Sequence, residues 1–462
     1  MLPLRALLAA ALLGGAASAQ APAAQDASPA SPAAPEAPRR YVVERVALEG
    51  LTRTKPSAVQ RHLSVREGQA LDEAAVLASR LRLLQLGWFS TVETRVQKGS
   101  ERGLVVLVFS FTERNTIVVS DLVLGSTGPQ PFYGGLGLSD GNFLGQGLAL
   151  GGAFVYGGPP AGQPLAPSRF AVRGAFFDPD LDAGGLPLVL GLSGVLLRGE
   201  ELACPDPNCN GFQGRYGDAP RVRYDRLGGE LTAGIRPGPF ERLLAGFRVE
   251  RVTSEVQQGA EAAGPLPSIR PGQSLITALA ATYDRDTRSD LFLPTDGSRL
   301  SVNVTFASPA LGGDYEYARL LVQLETDHRL PWGHGLRLQG AAGTVQGEAP
   351  FFDRFYAADW AYFTIGPAVG RALELNFSTD SRYDAVLALA GTEYAVPLWS
   401  SGGFFHRGYL ALGARWTWTA ATSRTGRTPA SSTPFSADVA LRLDTPVGSF
   451  NVSTAYALDI FL

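Results

Sequence analysis

Hydrophobic and polar residues alternate strictly in the carboxyl-terminal part of the chain, most clearly over residues 300–306 and again over 439–456. Successive side chains of a β-strand point to opposite faces, so this spacing predicts strands with one apolar face and one polar face. A water-soluble sandwich and a membrane barrel both contain such strands, and the alternation alone leaves the two folds open. In the first segment the apolar positions are Leu300, Val302, Val304 and Phe306, and the polar positions are Ser301, Asn303 and Thr305.

Fifteen segments after residue 115 have strand-like patterns. Short connections rich in Gly and Pro, such as 236–239, 331–333 and 445–448, separate some of them, and longer polar stretches such as 199–220 and 253–273 separate others. Short turns on one side and long loops on the other are typical of outer-membrane barrels. The predicted strands are 117–124, 132–139, 148–156, 169–177, 186–197, 221–235, 243–253, 274–283, 300–306, 315–330, 336–345, 385–397, 409–418, 438–444 and 450–458.

The amino terminus favours the membrane barrel over the soluble sandwich. Residues 1–19 have the features of a secretory signal peptide: Arg5, an apolar run too short to span a bilayer, and a small-residue cleavage site at Ala17-Ser18-Ala19. No later segment has the roughly 18 consecutive apolar residues that a transmembrane helix needs. An exported chain can still cross an outer membrane as a closed barrel, because closure satisfies every backbone hydrogen bond in lipid.

Composition adds little chemistry to this interpretation. Charged residues make up 18% of the chain and the formal net charge is -3, so we expect no nucleic-acid partner. Cys204 and Cys209 lie close together in a predicted loop, where an oxidising envelope favours a local disulfide over a metal or redox site. The four histidines are scattered, and no nucleophile with a base is visible, so we expect no metal, no cofactor and no enzymatic activity.

A flexible linker and a small α/β unit precede the strand-rich part. Residues 20–40 are rich in Ala and Pro and have no apolar periodicity, which predicts a linker. Residues 41–115 predict the order β-α-α-β-β, with strands at 41–48, 91–96 and 104–111 and helices at 55–63 and from Asp72 to about residue 86. The last strand is almost continuously apolar and is expected to be central. Helical spacing in the second helix predicts a buried stripe made of Ala74, Leu77, Ala78, Leu81 and Leu84.

The α/β unit resembles a POTRA domain, the periplasmic module of the outer-membrane assembly-factor or bacterial surface antigen superfamily, which includes BamA-like and TamA-like proteins. The resemblance rests on Val-Ala-Leu-Glu-Gly-Leu at 46–51, on Leu-Gly-Trp-Phe-Ser-Thr-Val at 86–92, and on an apolar strand that ends at Glu113. Residues 134–147, 177–179, 284–300 and 442–448 resemble turns of the family barrel. The resemblance therefore implies a mainly β fold, a transmembrane antiparallel β-barrel of about 16 strands over residues 116–462, preceded by one small α/β POTRA domain.

The resemblance implies an outer-membrane protein with its POTRA domain in the periplasm, which helps to insert or export client proteins through a weakly paired barrel seam. The implied partners are outer-membrane lipids, unfolded barrel or exported clients, and periplasmic or lipoprotein partners that bind the POTRA domain. The alternative is a passive outer-membrane pore or structural barrel without insertase activity. Glycines in the opening hairpin are the candidates for a flexible seam, namely Gly134, Gly135, Gly137, Gly145 and Gly147.

Two departures from the family pattern concern the sixth external loop and the strand count. Family members carry a Val/Leu-Arg-Gly-aromatic motif whose arginine enters the lumen and pairs with an aspartate on a neighbouring strand. Here Arg371 is the candidate arginine, the strand at 409–415 has no aspartate, and Asp380 or Asp384 is the candidate substitute. Fifteen strands are an odd number, and single-chain bacterial barrels have even numbers, so we expect residues 355–364 to supply a further strand.

Overall fold

The computed structural model describes residues 41–125, 132–159, 168–183, 186–202, 221–238, 240–256, 268–288, 296–356, 383–401, 403–420, 431–432 and 435–458. The predicted signal peptide (1–19), the linker (20–40), Cys204, Cys209, Arg371 and Asp380 lie outside these residues. Among the described residues, no helix combines the length and the apolar composition that a bilayer crossing requires.

The α/β unit contains β1 (Val42–Glu49), α1 (Pro56–Gln60), α2 (Glu73–Gln85), β2 (Phe89–Lys98) and β3 (Leu104–Glu113). The three strands form one sheet in the order β1-β3-β2, with β1 parallel and β2 antiparallel to β3. The prediction of a central apolar strand is confirmed, because β3 lies between the other two. Its side chains Leu107 and Phe109 are completely buried, and Trp88 packs into the same core.

The orientation of α2 differs from the predicted apolar stripe. Asp72 caps this helix, since its Oδ1 accepts a hydrogen bond from the amide of Ala74 at 2.9 Å. Leu77 is exposed, whereas Ser79 and Leu83 are buried and Leu84 packs against the core, so the predicted stripe is confirmed at Leu84 and wrong at Leu77. Ser79 tolerates burial because its Oγ donates to the carbonyl oxygen of Ala75 and accepts from the amide of Ser64. Apolar periodicity misses a buried face that contains a satisfied hydroxyl group.

The strands that follow form one large sheet in which each strand pairs antiparallel with the next. Along this path there are fifteen successive strands, and each predicted segment overlaps one of them. They are β4 (Ile117–Gly125), β5 (Tyr133–Phe143), β6 (Leu148–Gly157), β7 (Arg169–Ala183), β8 (Leu186–Leu202), β9 (Arg221–Ile235), β10 (Glu241–Val256), β11 (Gly272–Asp286), β12 (Gly297–Ala307), β13 (Tyr317–Arg329), β14 (Gly335–Gly347), and, after the two short strands β15 (Phe355–Tyr356) and β16 (Tyr383–Asp384), β17 (Val386–Ser400), β18 (Arg407–Ala420), β20 (Phe435–Thr445) and β21 (Gly448–Leu458), with the short strand β19 (Ser431–Ser432) before β20.

The sixteenth strand of the large sheet is not the predicted one. It is the two-residue β19, which pairs with the end of β18 directly before β20 begins. The predicted strand at 355–364 was wrong as far as it is described: β15 pairs with β16 in a separate two-stranded sheet, and residues 357–364 lie outside the described residues. Phe355 is buried in the same cluster as inward-facing residues of the wall strands.

The two faces of the sheet separate apolar and polar side chains as the alternation predicts. Val304 and Phe306 are about half exposed on the outside, at 45% and 49%, whereas Asn303 points inward and its Nδ2 donates to Thr282 Oγ1 at 2.8 Å. Buried charged side chains such as Glu250 and Asp284 line the interior. An apolar outer face and a polar lumen are the arrangement that a bilayer requires of a barrel wall.

The first strand of the path, β4, and the last, β21, contact each other, so the sheet curves round on itself. Fourteen antiparallel steps separate these strands, and an even number of reversals makes them run in the same direction. Among the described residues, the two edges form no ladder of paired residues and share one backbone hydrogen bond, from the amide of Val119 to the carbonyl oxygen of Val447 at 3.1 Å. We call this boundary between β4 and β21 the seam.

Candidate functional site

The base of the seam lies on the side of the barrel that carries the α/β unit. Arg114, which follows β3, makes an ion pair with Asp444 of β20, with 3.2 Å between the guanidinium nitrogen and Oδ1. Both side chains are largely buried, and Asp444 Oδ2 also accepts from Arg407 at 2.6 Å. Three residues after Asp444, Val447 accepts the seam hydrogen bond from Val119. An ion pair and a backbone hydrogen bond thus meet at one end of the seam.

The turn between β5 and β6 docks against the α/β unit. The amide of Lys55 donates to the carbonyl oxygen of Gly145 at 2.9 Å. Gly145 has φ +70°, and a Cβ there would lie 2.1 Å from the carbonyl oxygen of Arg53, so any side chain would push the two parts of the chain apart. A Cβ at Gly147 would likewise lie 2.7 Å from the ring of Trp88. We call residues 141–147 the docking turn.

Side chains complete this contact. Trp88 Nε1 donates to the carbonyl oxygen of Gly141 at 2.7 Å, and Asn142 Nδ2 donates to Thr54 Oγ1 at 2.8 Å. Asn142 Oδ1 accepts from the amide of Gly147 and thereby closes the turn. Elsewhere, Gln85 Nε2 donates to the carbonyl oxygen of Asp286, the last residue of β11, at 3.2 Å, and to that of Arg288 at 2.8 Å. The α/β unit is therefore fixed to the barrel at two separate turns.

The glycines predicted to loosen the seam lie near the first strand but not on it. Gly134, Gly135 and Gly137 belong to β5, which is one strand in from the edge strand β4, and Gly145 and Gly147 belong to the docking turn. Their role at the seam stays a prediction. The sequence signal for the docking contact was the Gly-rich string at 141–147, but its partner on the α/β unit is more than 50 residues away in the chain.

A segment that follows β14 enters the lumen, and we call residues 348–356 the lumen segment. Phe351 and Phe352 are buried there, and the guanidinium of Arg226 lies 3.9 Å above the ring of Phe352. Asp353 accepts two hydrogen bonds from Arg248 on β10, at 3.0 and 3.1 Å, and one from Tyr317 on β13, at 2.7 Å. These contacts attach the beginning of the long loop to the inner wall.

Asp353 is an acidic side chain by which the long loop is attached to the inner wall. The family resemblance implies an arginine in the loop and an aspartate on a strand, whereas here Asp353 is in the loop and Arg248 is on the strand. Asp384 is buried and belongs to β16, and its pairing with Arg371 stays a prediction. The sequence signal for Asp353 is the pair of phenylalanines directly before it, Phe351 and Phe352.

The inner wall from β10 to β20 carries a chain of ion pairs, which we call the charge ladder. Glu250 is almost completely buried between two arginines, Arg226 and Arg248. Many of the pairs join adjacent strands, as Arg337 on β14 does with Asp327 on β13, whereas Arg442 on β20 reaches past β18 to Glu393 on β17. The other pairs are Arg242–Asp284, Arg299–Asp284, Arg288–Asp286, Arg288–Glu325, Arg337–Asp327, Arg442–Glu393 and Arg407–Asp444.

The α/β unit has a groove beside its edge strand β2. The groove has a volume of about 550 Å³ and lies between α2 and β2. Leu77 and Val96 are both more than half exposed along it, next to the charged side chains of Arg80 and Glu93. An exposed strand edge beside an apolar groove is the surface to which an extended peptide adds as a further strand.

Two buried ionisable groups in the α/β unit have shifted pKa values. Burial lowers the pKa of His62 well below 6.5, and Arg82, whose Nε donates to His62 Nδ1 at 3.2 Å, lowers it further. For Glu113, desolvation raises the pKa, but hydrogen bonds from Thr52 Oγ1 and from the amides of Arg53 and Thr54 outweigh it, and its pKa is about 2. His62 is therefore neutral and Glu113 ionised at neutral pH.

The described residues contain no group of three or more His, Cys, Asp and Glu side chains placed to hold a metal ion. Their charged side chains form ion pairs between strands and hydrogen bonds to the backbone.

Comparisons with known proteins agree with this architecture. The Omp85 superfamily domain model matches residues 142–459, and the POTRA model, described as a surface antigen variable number repeat, matches residues 41–114. The outer membrane protein assembly factor BamA of Nitratidesulfovibrio vulgaris is 22% identical over 326 residues, which cover 69% of this chain and 37% of that protein. The chain thus spans little more than a third of the length of that relative.

The solved structure of CdiB gives the same result for the fold. CdiB from Escherichia coli matches with a TM-score of 0.59 at 12% identity, covering 91% of this chain and 73% of that chain. BamA from Haemophilus ducreyi lacking POTRA domains 1–3 matches with a TM-score of 0.49 at 16% identity, covering 92% of this chain and 82% of that chain. The likeness to CdiB concerns the fold alone.

Proposed function

Because the chain belongs to the Omp85 superfamily, we propose that it is an assembly or translocation factor that receives client polypeptides at its POTRA edge and passes them to the barrel seam. It is an outer-membrane protein with its POTRA domain in the periplasm. We assign residues 41–115 to the POTRA domain and residues 116–462 to the barrel. Members of the Omp85 superfamily act in assembly or transport, which does not require catalysis. The mechanism proposed for this chain uses strand pairing only.

The seam is the observation that carries the proposal. Among the described residues, one backbone hydrogen bond crosses the seam, from the amide of Val119 on β4 to the carbonyl oxygen of Val447 in the turn that precedes β21. Unpaired strand edges bind an incoming strand through main-chain hydrogen bonds, which do not depend on the client's sequence. A seam held at one end by a single backbone bond would therefore accept strands from many clients.

The POTRA edge supports the first step of this proposal. The outer edge of β2 and the groove beside Leu77 and Val96 would accept an extended client segment, with main-chain bonds for affinity and apolar contacts for alternate side chains. Such a segment would displace the hydrogen bond from Arg80 Nε to the carbonyl oxygen of Val92. The docking turn and Gln85 attach the POTRA domain to the barrel, so a client bound there would remain near the seam. Periplasmic or lipoprotein partners would compete for the same exposed surface.

The alternative is a passive pore or structural barrel. The lumen segment argues against an open pore, because Phe351 and Phe352 are buried inside the barrel and the adjacent Asp353 accepts hydrogen bonds from two different strands. A structural barrel without activity would keep the same lumen but would not accelerate client folding. The two functions therefore differ in one measurable rate.

The test is the folding of an unfolded outer-membrane barrel client into phosphatidylcholine vesicles with and without this protein. We expect faster client insertion in its presence, measured by the gel shift of the folded client. The matched control is one variant in two states: V119C/V447C, in a C204S/C209S background, with its disulfide oxidised or reduced. Oxidation should close the seam and abolish the acceleration, and reduction should restore it.

The alternative function has its own signature. If client folding is not accelerated by the wild-type protein, while planar bilayers show steady conductance, the passive pore replaces the proposed function. If acceleration is equal in the oxidised and reduced states, the seam is not the route that clients take.

A further inference from the structure

Trp88 connects the docking turn to the base of the seam. Its indole Nε1 donates to Gly141 of the docking turn at 2.7 Å, while its carbonyl oxygen accepts from the amide of Arg114 at 2.9 Å. Arg53 NH2 donates to the carbonyl oxygen of Arg114 at 2.5 Å. The backbone of Arg114 is thus fixed on both sides by the POTRA domain, at the point where the chain enters β4.

The side chain of Arg114 reaches the other side of the seam. β4 begins three residues after Arg114, and the ion pair of Arg114 with Asp444 joins this start of the barrel to β20, the neighbour of the last strand. Asp444 is itself fixed by Arg407 and through its own carbonyl oxygen, which accepts from the amide of His406 at 2.8 Å. Both residues of the ion pair are therefore held in place by further hydrogen bonds.

From this geometry we infer that the Arg114–Asp444 ion pair is a latch by which the docked POTRA domain keeps the seam closed. Displacing the POTRA domain from the docking turn moves Trp88, and with it the backbone of Arg114, away from Asp444. The hydrogen bond between Val119 and Val447 then lacks its neighbouring ion pair. The inference rests on the proposed function in taking the seam as the part of the barrel that opens.

The latch predicts that two distant substitutions have the same effect on the seam. R114Q removes the charge that crosses it. G145A does not touch the seam but inserts a methyl group that would lie 2.1 Å from the carbonyl oxygen of Arg53, and so forces the POTRA domain off the docking turn. If the POTRA domain acts through Arg114, both variants loosen the seam, and the double variant loosens it no more than the stronger single variant.

Seam closure is measured as the rate of disulfide formation between V119C and V447C in the full-length protein reconstituted in vesicles, in a C204S/C209S background. These positions are adjacent when the seam is closed, because the amide of Val119 bonds to the carbonyl oxygen of Val447. We expect R114Q and G145A each to slow cross-linking at least about threefold. Hydrogen exchange of the peptides covering β4 and β21 repeats the test without introduced cysteines, and both variants should increase it.

Two matched controls distinguish loss of the latch from general destabilisation of the POTRA domain. R95Q removes an arginine from an exposed POTRA ion pair with Glu49 and should leave the cross-linking rate unchanged. G68A adds a methyl group at a POTRA glycine with φ +80° and open space around it. It therefore has the backbone strain of G145A without the steric clash that G145A makes with Arg53. It should also leave the rate unchanged.

Three outcomes overturn the latch: an unchanged rate in R114Q, an unchanged rate in G145A, or equal slowing in R95Q or G68A. An unchanged rate in G145A alone would mean that the ion pair closes the seam independently of the POTRA domain. Client folding is measured separately. If the variants open the seam but neither they nor the wild-type protein affects client folding, the latch stands and the proposed function fails.

Discussion

Two parts of the barrel wall are built on different principles. The strands β4, β5 and β6 contain two charged residues, Asp121 and Asp140, and many glycines, and they contact the POTRA domain through the docking turn. The wall from β10 to β20 contains the charge ladder, in which carboxylates and guanidiniums bridge neighbouring strands. We call these the glycine wall and the charged wall.

The difference concerns what keeps each wall in place. In the glycine wall, backbones approach closely and the POTRA domain supplies external support. In the charged wall, side chains in the lumen bridge the strands, and removing one partner leaves an uncompensated buried charge. The POTRA domain contacts both walls that border the seam, through the docking turn on the glycine wall and through the Arg114–Asp444 ion pair on the charged wall.

The largest expected effect comes from breaking the charged wall. E250A leaves Arg226 and Arg248 facing each other without the carboxylate between them. We expect a loss of roughly 3 kcal/mol in the free energy of unfolding, the usual scale for removing one member of a buried pair. Urea unfolding in vesicles measures it. E255A, on the exposed side of the same strand, is the control, and an equal loss there would contradict the ladder's role.

The glycine wall should be sensitive to size instead of charge. A Cβ at Gly135 would lie 2.9 Å from Val155 Cγ2 and 3.0 Å from the carbonyl oxygen of Phe154, so G135A overpacks the contact between β5 and β6. We expect a loss of about 1–3 kcal/mol in the same unfolding experiment. G174A, which meets nothing within 4 Å on β7, should change stability by less than about 0.5 kcal/mol. Similar losses in both variants would show that packing does not limit this wall.

Acid should weaken the POTRA domain that supports the glycine wall. The folded state keeps His62 neutral because its pKa lies well below 6.5, while the unfolded chain binds a proton as the pH falls below 6.5. The stability from this group is thus complete above pH 6.5 and is lost as the pH falls, by at most about 1.4 kcal/mol per pH unit.

H62Q keeps a neutral hydrogen-bonding side chain and should remove this dependence. Hydrogen exchange of β1 and β3 peptides in the full chain, corrected for the intrinsic pH effect, measures it between about pH 7.5 and pH 5. A wild-type slope identical to that of H62Q would mean that His62 titrates normally in the folded domain.

The smallest effect is expected at Glu113. Its depressed pKa of about 2 means that its stabilising contribution is complete above pH 4.5 and is lost as the pH falls towards 2. E113Q should therefore cost about 1 kcal/mol of POTRA stability at neutral pH, and the difference from wild type should vanish near pH 2. E49Q, in an exposed ion pair, is the control. A difference that persists in acid would show that the cost is one of shape instead of charge.

The strands could be predicted because their signal is local. An alternation with period two, as at Val302 and Val304, depends only on which side of the sheet meets lipid. The stripe of α2 could not be predicted in the same way, because Ser79 is buried with its hydroxyl satisfied by Ala75 and Ser64. Asp353 was missed because its partners on β10 and β13 are distant in sequence.

The sequence by itself determined the small α/β unit, the order of the wall strands and the side of each strand that faces outward, because all three follow from short-range periodicity and turn residues. The tertiary structure decided which distant residues meet: Trp88 with the docking turn, Arg114 with Asp444, and Val119 with Val447. These contacts join residues far apart in the chain, and their energies depend on burial and distance in the closed sheet, which no local pattern contains.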